Sequence, residues 1–497
     1  MSDKKGLSYE QRKAMYEQNI RDTDGKRHID KLRDDTHNNN ANNNGSKKND
    51  PSKRRRAERI QLTPPVRETI PEQKAEPAPE NRIKKEKKHK SGRFKKWWKN
   101  IPAAPVMEYV PNAKRGRFDM PLFTVVIILL VMGIIMMSSA SYAYALQEEG
   151  NSFAYAQKQL VAAVVGFVVM IILSRIDYRM WARPFKMIGK KKDFDNGNGL
   201  NPAMAFFGFS VILMILVIFK GDAVADAKRW ITIAGVQIQP SELLKIASIL
   251  LVAYLLQRNY ERRKERILGC LLYLCLMGII CALCYAQRHV SAMIIFCVLI
   301  YAMMIVGECN AKGLILLFVL AVVGVLIMYY VVQWDYITER VQGWLAPFSD
   351  MGKSTYQTSQ SLITIGSGNL FGLGLGNSRQ KYYYLPESQN DFVFSIICEE
   401  LGFFGGMTVI LLFVLFEVRG FFIAARAKDK FGSLVAFGIT LQIGLQAILN
   451  IAVACNAIPN TGISLPFFSY GGTALLMQLF EAGVVLAVSR QNDNKLL

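Results

Sequence analysis

The sequence predicts an all-α polytopic membrane protein with ten transmembrane helices, a large outer loop between helices seven and eight, and a disordered basic N-terminal tail. Three observations carry that expectation. Ten runs are long and apolar enough, or nearly so, to cross a bilayer core, which takes about 20 mainly apolar residues. Charge is segregated: residues 1–118 hold 31 Lys/Arg and 16 Asp/Glu, so +15 of the net +21 precedes the first apolar run. Residues 333–391 form a polar, glycine-studded stretch in a chain whose other connectors are short, and such a stretch reads as a working surface rather than a tether.

Residues 1–118 form the tail. Its segments NNNANNNGSKK, PSKRRRAER and KKEKKHKSGRFKKWWKN are poor in aliphatic residues and cannot bury enough apolar surface to offset the entropy of ordering. The tail contains no apolar h-region, so no signal peptide is expected. Its basic clusters, with Trp97 and Trp98 shortly before the first span, suit anionic membrane lipid better than nucleic acid, and no nucleic-acid partner is expected.

The spans fall at about 121–143, 159–174, 202–219, 241–257, 267–286, 290–307, 312–332, 392–418, 431–454 and 467–489, within a membrane domain of residues 119–490. Basic residues set the orientation. Connector 175–200 has seven Lys/Arg, 258–266 has five and 419–430 has four. Connector 144–157 has none, and 333–390 has only four in 58 residues. Both termini, including residues 491–497, are therefore expected in the cytoplasm and the long loop outside, where no ATP pool exists. All eight Cys lie in or beside apolar runs and read as small hydrophobes, not a metal site or a disulfide framework. Of four His, three lie in the tail, so no zinc signature forms.

Polar residues inside spans come next, because ionisable groups are costly there and mark function. Glu242 and Lys245 are three apart in QPSELLK, on one helix face where they can pair, either to fix packing or to line a polar cavity. Gln442, Gln446 and Asn450 make a stripe suited to interhelical hydrogen bonds. Glu399, Glu400 and Glu481 also sit in apolar context, and at least one is expected to face a water-filled cavity. In the loop, Asp350 follows Arg340, Trp344, Pro347 and Phe348. It reads either as a turn residue or as a general base acting on a sugar hydroxyl. Gln357, Gln360 and Ser361 in YQTSQS supply amides and a hydroxyl for substrate, and Lys228 and Arg229 in AKRWI can neutralise a phosphate. The glycines of GSGNLFGLGLGNS follow no strand, so they fail as a nucleotide loop and instead either let backbones pack closely or re-enter the membrane edge.

Three stretches together resemble the SEDS family, typified by FtsW, RodA and SpoVE. They are AKRWITIAGVQIQPSELLK, the run from WLAPFSD through YYYLPESQNDFVFSIICEELG, and NAIPNTGISLPFFSYGG, and the likeness spans roughly residues 118–490. The resemblance implies ten helices and a peptidoglycan glycosyltransferase that polymerises lipid II at the outer face of the cytoplasmic membrane. A class B penicillin-binding protein would be its partner. The family's proposed catalytic acid falls on Asp350, and its polar cavity pair falls on Glu242 and Lys245. Many members read Pro-Asp-Leu-Gly/Ser near the start of the sixth span, whereas this chain has Arg288-His289-Val290-Ser291. On this reading a pyrophosphate leaves, its charge offset by Lys228, Arg229, Arg340 or a divalent cation (Mg or Mn). A lipid II flippase and a non-catalytic scaffold are the rival functions.

Overall fold

The computed structural model describes residues 116–184, 200–224, 227–233, 236–258, 267–330, 340–341, 343–348 and 353–491. The tail before residue 116, Asp350 and residues 492–497 lie outside them. Among the described residues seven helices are long and apolar enough to cross a membrane, and three shorter apolar helices stand at the fifth, sixth and seventh expected runs. In chain order they are α1 (Met120–Glu149), α2 (Ala154–Arg175), α3 (Pro202–Lys220), α4 (Pro240–Arg258), α5 (Leu271–Ala286), α6 (Val290–Val306) and α7 (Ala311–Tyr330). After the loop helix α8 (Lys353–Ser367) come α9 (Val393–Arg426), α10 (Lys430–Ala454) and α11 (Gly472–Ser489).

Several starts are written locally. Asp119 and Asn201 accept hydrogen bonds from the backbones of Leu122 and Met204, with Pro121 and Pro202 in the first turns of α1 and α3. These are side-chain caps with proline where its missing N–H costs nothing. Packing then sorts the helices. α4 is buried along nearly its whole length because α3, α6, α10 and α11 surround it. α2 and α11 approach closely: a Cβ on Gly483 would stand 2.8 Å from the Met170 carbonyl oxygen, which is how small residues bring membrane helices together. Val161, Val164, Phe209, Ile212, Ile315 and Phe318 are exposed, an apolar exterior suited to lipid.

Alternating helices give the bundle two ends. At the basic end, Gly116 donates to the Arg490 carbonyl, and the connectors after α2, α6 and α9 meet. At the loop end lie the connectors after α1, α3, α5, α7 and α10. One of them holds structure that the all-α expectation lacked. Three strands, β1 (Asp222–Val224), β2 (Ala227–Ile233) and β3 (Val236–Ile238), pair antiparallel in the order β1-β2-β3. The run Trp230-Ile231-Thr232-Ile233 explains it, since aromatic and β-branched residues favour a pleated, half-buried surface. The long loop contains α8.

α9 runs 34 residues but is broken at Gly402, where φ is +70°. A Cβ there would come within 2.4 Å of the Gly372 nitrogen, so only glycine fits. At the same place the Leu373 and Gly374 N–H groups donate to the Glu399 and Glu400 carbonyls at 2.9 and 3.0 Å, and Phe403 N–H donates to Asn369 O at 2.9 Å. The glycine-rich segment thus packs backbone to backbone against the break.

Candidate functional site

Residues 455–471 are the hub of the loop end. They have almost no regular structure, so their carbonyls are satisfied largely by side chains from elsewhere. Trp344 Nε1 donates to the Asn456 carbonyl at 3.1 Å, and Arg340 Nη1 donates to the Asn460 carbonyl. Asn460 Nδ2 in turn donates to Gln357 Oε1 at 3.0 Å. Ser291 Oγ, in the first turn of α6, donates to the Thr461 carbonyl. Asn450 Nδ2 donates to the carbonyls of Asp391 and Ile463, both at 2.7 Å, and Ser469 Oγ donates to the Asn390 carbonyl at 2.6 Å. The segment NAIPNTGISLPFFSYGG folds this way because Asn, Pro and Gly punctuate it with turns.

Around this hub the loop end gathers charge. Asp391 stands at the entrance to α9 beside Gly462, whose φ is +65° and whose added Cβ would lie 3.2 Å from Asp391 Oδ2. Burial and the neighbouring Glu387 push the Asp391 carboxyl up to about 6, against the opposing pull of Arg340 and Arg229. Residues from β2, the segment after α7 and the segment before α9 therefore share one electrostatic environment. Burial, Arg229 and Lys245 push the His289 imidazole down to about 3, so it is neutral near pH 7. Arg229 Nη2 donates to the Arg288 carbonyl at 2.6 Å.

Below the hub, Lys245 Nζ and Glu242 Oε2 are 2.7 Å apart and buried in the first turns of α4. Glu481 of α11 is within electrostatic range of both. On α10, Gln442 Nε2 donates to Gln446 Oε1 at 3.0 Å. Polar side chains thus recur on α4, α10 and α11, three helices in mutual contact.

The structure distributes the sequence-predicted residues unevenly. Arg229, Arg340 and Gln357 come to the hub region, while Lys228 is exposed on β2 and Gln360 is half-buried on α8. Ser361 is fully buried, its hydroxyl within 2.7 Å of Ser395 Oγ and of the Ala454 carbonyl, where it pins α8 to α9 and the end of α10. Asp350 lies outside the described residues. Of the three acids of which at least one is expected to face a water-filled cavity, Glu399 and Glu400 are buried and held by protein groups, Glu400 through Oε1 alone. Glu399 accepts from Ser378 Oγ and from Arg379 N–H at 3.1 Å, and Glu400 accepts from Ser139 Oγ at 2.6 Å and Lys381 Nζ at 3.1 Å. Sequence reasoning missed Asp391 and Lys381. For Asp391 the available signal was an acid abutting an apolar run at the end of the polar loop. Among the described residues no three His, Cys, Asp or Glu side chains converge as metal ligands, and the positive charge at the hub comes from arginine.

This geometry defines a multi-pass α-helical membrane protein with a charged site assembled from its connectors at one end of the bundle. The chain belongs to the FtsW/RodA/SpoVE family of cell cycle proteins, which it matches over residues 120–189 and 196–494. It is 34% identical over 379 residues to a probable peptidoglycan glycosyltransferase FtsW of Trichlorobacter lovleyi, covering 75% of this chain and 93% of that one. Stage V sporulation protein E of Bacillus subtilis is 34% identical over 384 residues, covering 76% and 99%. Among solved structures, the fold resembles a chain of a peptidoglycan synthase complex that coordinates polymerization and crosslinking. There the TM-score is 0.59 at 23% identity, covering 76% of this chain and 99% of that one. The rod shape determining protein RodA of Thermus thermophilus gives a TM-score of 0.51 at 23% identity, covering 76% and 98%.

Proposed function

We propose that this chain is a peptidoglycan glycosyltransferase that polymerises lipid II at the outer face of the cytoplasmic membrane, in division, cell-shape or spore-wall synthesis. Both termini lie inside, the basic tail rests on anionic lipid, and a class B penicillin-binding protein is the partner. The observation that carries this reading is the charged site at the loop end of a chain from a family whose relatives bear that activity in their names. Asp350 takes the proton from a sugar hydroxyl of one lipid-linked disaccharide. That oxygen attacks the anomeric carbon of a second, and undecaprenyl pyrophosphate leaves with inversion. Arg229 and Arg340 offset the charge that grows on the leaving oxygen. Glu242 and Lys245 hold the polar floor beneath the hub.

Purified protein given labelled lipid II tests the reading. Glycan polymer is the expected product; lipid movement without polymer would make the protein a flippase, and neither would make it a scaffold. Asp350→Asn keeps the size and removes the proton acceptor, so polymerisation should fall by roughly 10²–10⁴-fold while insertion is retained. Wild-type rates in that variant would remove Asp350 from the mechanism.

A further inference from the structure

We propose that the first turn of α6, together with Arg229 and His289, forms a binding site for a phosphate or diphosphate group. The proposal deepens the reading above and rests on it for the identity of a lipid-borne ligand. α6 starts at Val290, and its N-cap residue, His289, makes no side-chain hydrogen bond to the turn, so the N–H groups that begin the helix are uncapped. Arg229 reaches this turn from β2 and donates through Nη2 to the Arg288 carbonyl at 2.6 Å, which fixes a guanidinium at the helix start.

Three buried polar atoms from three segments are left without a partner there. They are Nδ1 of His289, which is only 8% exposed, Nε of Arg229, and Oγ1 of Thr461, the residue whose carbonyl receives Ser291 Oγ. Buried polar atoms are satisfied in nearly all native structures, and three exceptions gathered at one helix start call for a bound partner such as a water or an ion. The sign of the ligand follows from its surroundings. A helix N-terminus carries partial positive charge, Arg229 stands against it, Lys228 is exposed one residue away and Lys245 contributes its field to His289. The carboxylates facing these cations are Glu242, paired with Lys245, Glu481 on α11, also within range of Lys245, and Asp391, across from Arg229 and Arg340. A neutral imidazole can carry its hydrogen on Nδ1 and donate to an anion without carrying charge itself. A carboxylate at position 289 would pair with Arg229 and close the site from within. Histidine leaves the guanidinium available.

The test uses the full chain in lipid nanodiscs, with inorganic pyrophosphate and farnesyl diphosphate as probes, farnesol as the neutral control, and calorimetric titration as the readout. His289→Asp and Arg229→Gln should each weaken binding of both diphosphates by roughly 10- to 100-fold, the worth of a charge-assisted contact. His289→Asn, which keeps a short donor, should stay within about threefold of wild type, and farnesol binding should not change in any variant. Lys228→Glu, a change on an exposed strand position, should weaken diphosphate binding even if His289→Asp fails to fold. Wild-type diphosphate affinity in Arg229→Gln and Lys228→Glu, or equal losses with farnesol, would overturn the site. Tighter binding of farnesyl diphosphate than of pyrophosphate assigns a lipid headgroup; equal affinity assigns a free anion. Labelled lipid II run in parallel separates the two ideas. Polymer formation with no effect of the variants on diphosphate binding sinks the site alone, and diphosphate binding lost in the variants with no polymer from wild type sinks the enzymatic reading alone.

Discussion

At the basic end of the bundle, Asp429 accepts from Tyr178 OH at 2.6 Å, Arg179 Nε at 2.9 Å and Gly432 N–H at 2.8 Å. Asp119 there caps α1 and is bridged to Arg419 at 2.7 Å. At the loop end, Arg229 Nε, His289 Nδ1 and Thr461 Oγ1 are buried with no partner. Both ends carry charge into protected positions, and the loop end has its own buried pair in Lys381 and Glu400 at 3.1 Å, yet it also holds a cationic cluster left unspent. A carboxylate that accepts three hydrogen bonds, one of them from an arginine, joins helices. An arginine with an unspent N–H beside an uncapped helix waits for a ligand. Charge alone would not have separated the two; partner saturation does.

The comparison breaks most easily at Asp429. Asp429→Ala strands Arg179 and uncaps α10, so unfolding free energy should drop by about 3–5 kcal/mol, while polymerisation per folded molecule is retained. Thermal melts paired with the lipid II assay check this, and a folded but inactive variant would contradict the division between the two ends. Glu242 and Lys245 lie in the first turns of α4, just inside the loop end. Each single alanine variant should cost about 3 kcal/mol by leaving a buried charge unpaired, and the double variant should cost less than the two singles summed. Additive losses in the cycle would show two independent residues.

Arg229→Ala and Arg340→Ala should act in the opposite sense to Asp429→Ala. Their expected cost is about 1.5–3 kcal/mol of transition-state stabilisation in kcat/KM, with melting temperature nearly unchanged. Unchanged kinetics in both would return these arginines to a purely structural role. The smallest effect concerns Asp391. Its carboxyl is raised to about 6 from 3.8, so its neutral form is the better tolerated in the fold. The sign follows from linkage: the contribution is fully favourable below the unfolded value and is lost as pH rises through about 6. Asp391→Asn should therefore match wild-type stability near pH 3 and exceed it by about 1–2 kcal/mol above pH 7, as melts across that range would register.

The spans were legible because a bilayer leaves a chain few alternatives, and apolar runs of that length announce themselves. Connectors obey no such rule. AKRWITI folds as a strand because the hairpin at the end of α3 supplies its partners, and α8 forms inside a loop that reads as uniformly polar. Lys381 and Glu400 are separated by 19 positions, and no periodicity links a loop cation to a helix acid. Lys228, Arg229 and Arg340 were recognisable as connector cations, but their separate fates depended on the hub. Asp391 reads as an ordinary helix-start acid until Arg340, Arg229 and Glu387 are brought around it. Glu399 and Glu400 stood among three candidates for a cavity acid for the same reason: their loop partners fold back from a distance.

The break at Gly402 bears on how the proposed substrate arrives. It divides α9 into a short stretch bound to the glycine-rich segment and a following stretch of 24 residues, from Phe403 to Arg426, which at about 1.5 Å per residue covers the hydrocarbon thickness of a bilayer. Phe371, 80% exposed, and the exposed Leu375, Phe403 and Phe404 cluster around the break, at the level where that stretch begins. Exposed apolar tips of this kind suit the boundary layer of a membrane. A lipid-anchored sugar meets such a ledge by lateral diffusion in two dimensions. Turnover is then governed by the mole fraction of substrate in the leaflet, and diluting the membrane with inert lipid slows it even when the amount of substrate per volume of suspension is held constant.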